Sequence, residues 1–486
     1  MILGAIAAAV KKRGENAVPT VLSMLKRLKH RGTDSHGVAT PNLTRTANLI
    51  EQIIIKGMSS NVALGHNLSR ILPEDRPQPV LGANFTLAFN GRLFPPFSVS
   101  TIDAILTTLA SDPQKNASAI IKKLKGSYAF AIACQDKVIA GRDTMGTTPL
   151  YYGENETTSV VASERKALWG IGIKDAESFP PGNLGLMTVY GFTFQPIRTI
   201  TQSSLKSTDM KTVAKQLQIL LSESMKERLS DTKKAAVAFS GGLDSSLIAM
   251  LARICGIEVQ LITVGLEGQR ELHHARAASK ALELPLHLQT YTQDDIEQTL
   301  PKVLWLIEEP DVTKVGVAIP LYWTAQIASK LGFRILLAGQ GADELFGGYQ
   351  KYLRDYAAGD EALRDSMYHD VITCHEKNFQ RDIQACSFHK VELRLPFADR
   401  NVVNFSLGVP THLKIESPED HLRKRLLRLT AQNLGMPPFI VNRRKKAVQY
   451  ATGVDKALRR LARRENLTLR EYVRRIFRDV YPEREI

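Results

Sequence analysis

The run Ala235-Ala236-Val237-Ala238-Phe239-Ser240-Gly241-Gly242-Leu243-Asp244-Ser245-Ser246 decides the fold of the larger part of the chain. Its first five residues are apolar without alternation, as in a strand buried on both faces of a parallel sheet. A helical pattern over 245–254 follows, closed near Gly256, and the two intervening glycines permit a tight turn. Such a strand, turn and helix aim successive backbone N–H groups and a helix N-terminus at one point, with serine hydroxyls beside them. That is a cradle for phosphate. The bland alternative is a capped helix start behind a glycine-rich turn. The pattern G-x-x-x-x-G-K-[ST] occurs nowhere in the chain, so γ-phosphate chemistry of the P-loop type is not expected.

An aspartate inside an anion cradle repels phosphate unless a cation lies between them, so Asp244 predicts Mg²⁺ bridging to a pyrophosphate group. A second carboxylate is available after the strand-like run 335–338, in Gly339-Gln340-Gly341-Ala342-Asp343-Glu344-Leu345-Phe346-Gly347-Gly348-Tyr349. In an open parallel sheet the strand C-termini share one crevice, which sets Asp343 opposite the cradle.

Outward from this core, runs 259–264 and 286–288 read as further strands, and a helix starts near Asp209 with Val213, Leu217, Leu220, Leu221 and Met225 at helical spacing. Beyond Leu353 the pattern is mainly helical. Upstream, residues 199–210 are Ser/Thr-rich without apolar periodicity and mark a domain boundary. The first half differs in kind. Short runs at 85–89, 128–132, 137–140 and 159–162 read as antiparallel strands, with helices near 18–28 and 102–109, giving a layered α+β domain.

Composition bounds the function. With 486 residues the chain is long enough for several domains. Its 44% apolar and 23% charged residues are those of a folded globular protein and exclude a disordered chain. The apolar run 2–10 falls short of the ~20 residues that span a bilayer. Four cysteines without a C-x-x-C pair fit a reducing cytoplasm. The net charge of +15 is concentrated: residues 421–486 hold 18 Lys and Arg against 6 Asp and Glu, leaving +3 elsewhere. Without interleaved aromatics, this tail reads as a solvated helical face, and neither nucleic acid nor membrane is an expected partner.

The two segments 240–246 and 339–349, in this order and about a hundred residues apart, resemble the synthetase domain of asparagine synthetases, within the pyrophosphatase-loop ATP enzymes. Glu308-Glu309-Pro310-Asp311-Val312-Thr313, Glu392-Leu393-Arg394-Leu395-Pro396-Phe397 and Lys445-Lys446-Ala447-Val448-Gln449-Tyr450 extend the match. The N-terminal half is similar through Arg31-Gly32-Thr33-Asp34, Asn90-Gly91, Gly141-Arg142-Asp143, 146–151 and Phe179-Pro180-Pro181-Gly182.

The resemblance implies an Ntn-hydrolase-like glutaminase domain of αββα layers over 1–199 and an α/β adenine-nucleotide α-hydrolase-like synthetase domain over 210–486. The reaction it implies is aspartate, ATP and ammonia to asparagine, AMP and pyrophosphate through an acyl-adenylate. In this reading Ser240, Gly241, Gly242, Ser245 and Ser246 hold pyrophosphate, Asp244 and Asp343 bind Mg²⁺, and Lys424 stabilises developing charge. Backbone at Ala238, Val264 and Gly339 flanks adenine. A homodimer remains open, as does a separate glutaminase supplying ammonia.

The pattern breaks at the glutaminase. The family uses a cysteine directly after the initiator methionine, whereas this sequence reads Met1-Ile2-Leu3-Gly4, and its nearest cysteine is Cys134. Asn90-Gly91 keeps the oxyanion donors, but Arg92 stands where an acid holds the glutamine amine. The substrate-carboxylate arginine is missing from Gly65-His66-Asn67-Leu68, with Arg70 nearby, and the later aspartate falls near Thr101, with Asp103 two residues on. A cation at Arg92 repels a substrate ammonium. A retained fold with an inactive pocket is therefore expected.

The synthetase motif departs once. Gln340 replaces a glutamate that takes a proton from the attacking ammonia, and an amide is no base. Glu344 or a water would take over, or the acceptor differs. Another amide ligase of the same family, or a tRNA-binding or tRNA-modifying pyrophosphatase-loop protein, are the competing readings. Cys374-His375 with Cys386 and His389 has zinc-like spacing but suits a helical hairpin equally well.

Overall fold

The computed structural model describes residues 2–71, 75–95, 101–202 and 209–484. Met1 and part of the Ser/Thr-rich boundary stretch, including Ser203 and Ser204, lie outside the described residues. The chain forms two compact units, Met1–Thr199 and Ile200–Ile486.

The first unit is built on antiparallel strands. Ile2–Lys11 pairs along its length with Val62–Arg70 and at its end with Thr158–Ala162, and it touches Phe85–Leu93 at Ile2 opposite Gly91. Phe85–Leu93 continues into Gly126–Cys134 and Lys137–Arg142. Strand alternation then separates the cores. Ala5, Ala7 and Ala9 face the helix Val18–Arg27, whereas Ile6, Ala8 and Val10 share an inner cluster with Ala129 and Ala131. On the other strand set Phe89, Phe130 and Ile132 point outward against Ile105, Leu109 and Ile120 of the helices Thr101–Leu109 and Pro113–Lys123. Strands thus pack on strands, with helices outside.

The second unit holds a five-stranded parallel sheet in the order Leu286–Tyr291, Glu258–Leu266, Lys234–Ala238, Ile335–Leu337, Glu392–Arg394. The crossover helix Leu243–Ile254 follows the central strand. The helix read from Asp209 spans Met210–Leu229, and the Asp209 carboxylate caps it by accepting from the Thr212 amide. Glu392–Arg394 was not legible as a strand. It is three residues long, and its two charged side chains are buried because Arg394 donates to Glu392 at 2.6 Å and to Asp231 at 2.8 Å. Among the described residues no helix is long and apolar enough to cross a membrane.

Candidate functional site

Ser240, Gly241 and Gly242 form the turn between the central strand and its helix. Gly241 has φ +68, and a Cβ there would stand 2.9 Å from the His274 ring, so only glycine serves. The turn is braced internally. The Ser240 amide donates to Ser245 Oγ at 3.2 Å, the Gly242 amide to Ser240 Oγ at 3.2 Å, and Ser245 Oγ to the Gly242 carbonyl at 3.3 Å. Ser246 Oγ is buried with no hydrogen-bond partner among the described residues. On the outer side the His274 Nε2 lies 2.9 Å from the Gly241 carbonyl.

Directly above this turn four charges meet. The Lys424 ammonium donates to the two carboxylate oxygens of Asp244 at 2.8 and 2.6 Å and lies 2.7 Å from Oδ1 of Asp343. Lys445 bonds the other oxygen of Asp343 and lies over the Tyr349 ring at 5.2 Å. The two carboxylates predicted to share a crevice therefore converge on one cation position. Burial lowers the pKa of Lys424, opposed by Asp244, and pulls that of Lys445 down to about 8.

Backbone geometry makes this convergence feasible. A Cβ at Gly339 would come within 2.9 Å of Asp244 Cβ, and one at Gly348 would meet Asp343 Oδ1 at 1.9 Å and Lys424 Cε at 2.4 Å. Arg423 and Lys424 both occupy the left-handed region, at φ +53 and +55. Such conformations cost about 1–3 kcal/mol each and persist where the surroundings impose them. Here Arg423 Nε donates to the Gly348 carbonyl at 3.1 Å, and Arg428 donates to the carbonyls of Leu422, Arg423, Val441 and Arg443. One guanidinium thus ties together the loops that carry Lys424 and Lys445.

Ala238 and Val264 lie toward the C-terminal ends of adjacent strands, Val264 buried and Ala238 half-buried. The Glu344 side chain is engaged by other partners. Its Oε1 accepts from the Tyr349 hydroxyl at 2.5 Å and from Asn378 Nδ2 at 2.7 Å, and burial raises its pKa. Gln340 lies against the buried Asp382, whose Oδ1 accepts from Arg381 at 2.7 Å. Among the described residues no group of three or more His, Cys, Asp and Glu surrounds a metal position, the Cys374, His375, Cys386 and His389 set included.

A divalent magnesium ion fits the Asp244 and Asp343 pair on the chemistry of the donors. Both are hard carboxylate oxygens gathered within hydrogen-bond distance of a single positive centre, the donor type that a hard divalent cation takes.

In the first unit Asn90 is buried and Gly91, at φ +125, packs so closely that a Cβ would meet the Ser127 carbonyl at 2.1 Å. Asn67 is tied into the interior: Oδ1 lies 2.7 Å from His36 Nδ1, and Nδ2 donates to the Leu25 carbonyl at 2.9 Å. Arg70 donates to the Asp75 carbonyl at 3.0 Å, and Asp103 pairs with Arg76 at 2.7 Å. Arg92 is buried. The strand Ile2–Lys11, which meets Gly91, contains no cysteine. Cys134 stands six residues along its strand from Tyr128, the partner of Gly91, a separation of about 20 Å. Burial pushes its thiol up to about 11.

Lys445, Gly348, Arg423, Arg428 and Asn378 were not singled out by the sequence reading. The Lys445-Lys446 run was visible as a motif, but nothing in it ties the first lysine to an aspartate 102 positions earlier.

Comparison with known proteins agrees with this architecture. The family model described as asparagine synthase matches residues 216–362 and 355–483, and a glutamine amidotransferase domain model matches 66–170. A Methanocaldococcus jannaschii protein named as an asparagine synthetase [glutamine-hydrolyzing] is 28% identical, over 94% of this chain and 95% of its own length. The asparagine synthetase [glutamine-hydrolyzing] of Sandersonia aurantiaca is 26% identical over 89% and 83%, and that of Triphysaria versicolor 25% over 89% and 75%. With more than half of its length under the synthase model, on a parallel sheet whose glycine turn faces paired carboxylates, this chain belongs to the asparagine synthase family.

Proposed function

We propose that the chain is an AMP-forming amide ligase that activates a carboxylate with ATP and transfers it to ammonia, aspartate being the acceptor that the family likeness favours. The observation that carries this reading is the meeting of Asp244, Asp343, Lys424 and Lys445 above the Ser240–Gly242 turn. Magnesium bound by the two aspartates would neutralise the pyrophosphate as it leaves.

The protein's own groups do the rest. Amides of the turn and the start of the Leu243–Ile254 helix hold phosphate oxygens, and the hydroxyls of Ser240, Ser245 and Ser246 add donors. Lys424 and Lys445 supply positive charge where negative charge builds on the phosphates, in a buried setting where each contact counts for more than in water. Backbone at Ala238, Val264 and Gly339 borders the adenine. Glu344, held by Tyr349 and Asn378, braces the short helix that carries Asp343 rather than taking a proton from ammonia. Because Gln340 cannot accept that proton, it passes to water, and the ammonia step depends on free base rather than ammonium.

In the first unit, an Ntn-hydrolase-like fold of αββα layers is retained without its chemistry. Asn67 is locked to His36 and Leu25 where an arginine would hold the substrate carboxylate, Arg92 repels the substrate amine, and the only thiol of the unit is distant. Ammonia then comes from solution or from a separate glutaminase.

Carboxylate-stimulated exchange of pyrophosphate into ATP tests the proposal. Aspartate should stimulate it and added ammonium should convert it to net AMP formation. Exchange driven by another amino or carboxylic acid but not by aspartate would move the chain to a different amide ligase of the same family.

A further inference from the structure

The helices Val454–Arg464 and Leu469–Val480 each bury one side and expose the other. Leu458, Leu461, Val473 and Phe477 are buried, and Tyr481 anchors the end of the second helix by donating to the Trp305 carbonyl at 2.6 Å. The outer side carries Lys456, Arg460, Arg463, Arg470, Arg474 and Arg478, all exposed. Arg470, Arg474 and Arg478 recur every four residues and so form a row with a spacing of about 6 Å along the helix. Lys456, Arg460 and Arg463 form a similar row on the first helix.

Among the described residues these six cations have no ion-pair partner. Most nearby acids are engaged elsewhere: Asp455 pairs with Arg459 at 2.9 Å, Glu465 with Arg475 at 2.7 Å, and Glu471 caps the second helix by accepting from Thr468. Asp479 is the remaining exposed carboxylate of the two helices. Uncompensated like charges on two helices packed together repel one another, so the arrangement favours a bound polyanion.

The chemistry of the surface selects among polyanions. No large apolar side chain of these helices is exposed, so there is nothing to insert into a lipid boundary. Five of the six cations are arginines, whose planar fork matches phosphate oxygens. No aromatic is exposed on the two helices, which removes the stacking platform of a single-strand binder. We infer that this face, which the charge pattern alone reads as merely solvated, binds the phosphate backbone of double-stranded nucleic acid, a function separate from ligation.

Fluorescence anisotropy of the full chain with short labelled RNA and DNA duplexes, across a salt series, tests the inference. Each phosphate contact adds about 0.9 to the slope of log K against log salt. The triple variant Arg470→Gln, Arg474→Gln, Arg478→Gln should therefore lower the slope by about 2.7, with pyrophosphate exchange unchanged. A control of equal charge, Lys211→Gln, Lys215→Gln, Lys226→Gln on the exposed side of the Met210–Leu229 helix, should leave the slope intact. Whichever duplex binds more tightly identifies the source of the backbone. The inference is overturned if the two triple variants lose the same slope, if neither duplex binds, or if single strands or anionic lipid vesicles bind more tightly than both duplexes.

Discussion

A Cβ placed on Gly348 would stand 1.9 Å from Oδ1 of Asp343, closer than any two such atoms can approach. Gly348, next to the end of the second motif, is thus what allows Asp343 and Lys424 to reach each other. Gly348→Ala should push the carboxylate aside by roughly an ångström, and displacements of that size cost about a hundredfold in rate. Pyrophosphate exchange by the variant should fall by about that factor while its far-ultraviolet circular dichroism is kept. Exchange within a factor of two of the parent would show that Asp343 need not sit where it does.

Lys424 is buried between two carboxylates, so truncating it removes charge from the phosphates and leaves like charges facing each other. Lys424→Ala is expected to reduce exchange by about 10²–10³-fold. Lys424→Arg should recover little, because the planar fork cannot occupy the compact position the ammonium holds. Full recovery with arginine would reduce the role of this residue to general electrostatics.

The glutaminase reading predicts a null result with a sharp control. Purified chain should release no glutamate from glutamine, and Cys134→Ser should leave amide formation from ammonium salts unchanged. Glutamate release above buffer level would restore a working nucleophile to the first unit.

His66 provides a pH test of the first unit. Its ring is fully buried, and burial, helped by the neighbouring His36, lowers its pKa to about 3 from the ordinary 6.5. Between about pH 6.5 and 3 the unfolded chain takes up a proton that the folded chain refuses, so this residue makes stability fall as the solution is acidified. His66→Leu should therefore gain melting temperature over the parent at pH 5 and less at pH 8. A difference that does not change with pH would contradict the assignment.

Several parts of this architecture were legible in the sequence for simple reasons. The run 235–239 is apolar and followed by Gly241-Gly242, so a buried strand, turn and helix had one reading, and the observed elements Lys234–Ala238 and Leu243–Ile254 differ from it by a residue or two. Asp244 and Asp343 were pairable because parallel strands all end at one edge. The strand Ile2–Lys11 was missed as a strand because its alanine-rich run shows no alternation, being buried on both faces between a helix and an inner core. Gly348 looks like any turn glycine until its neighbours are placed. Lys445, Arg428 and Asn378 act through contacts that no local pattern records.

Calorimetric titration of ATP into the parent chain and into Asp343→Asn, with and without magnesium, tests the central claim most directly. The parent should bind one nucleotide with an affinity that magnesium strengthens, and the variant should lose that strengthening. Equal binding by the two proteins in the presence of magnesium, or no binding by either, would contradict it.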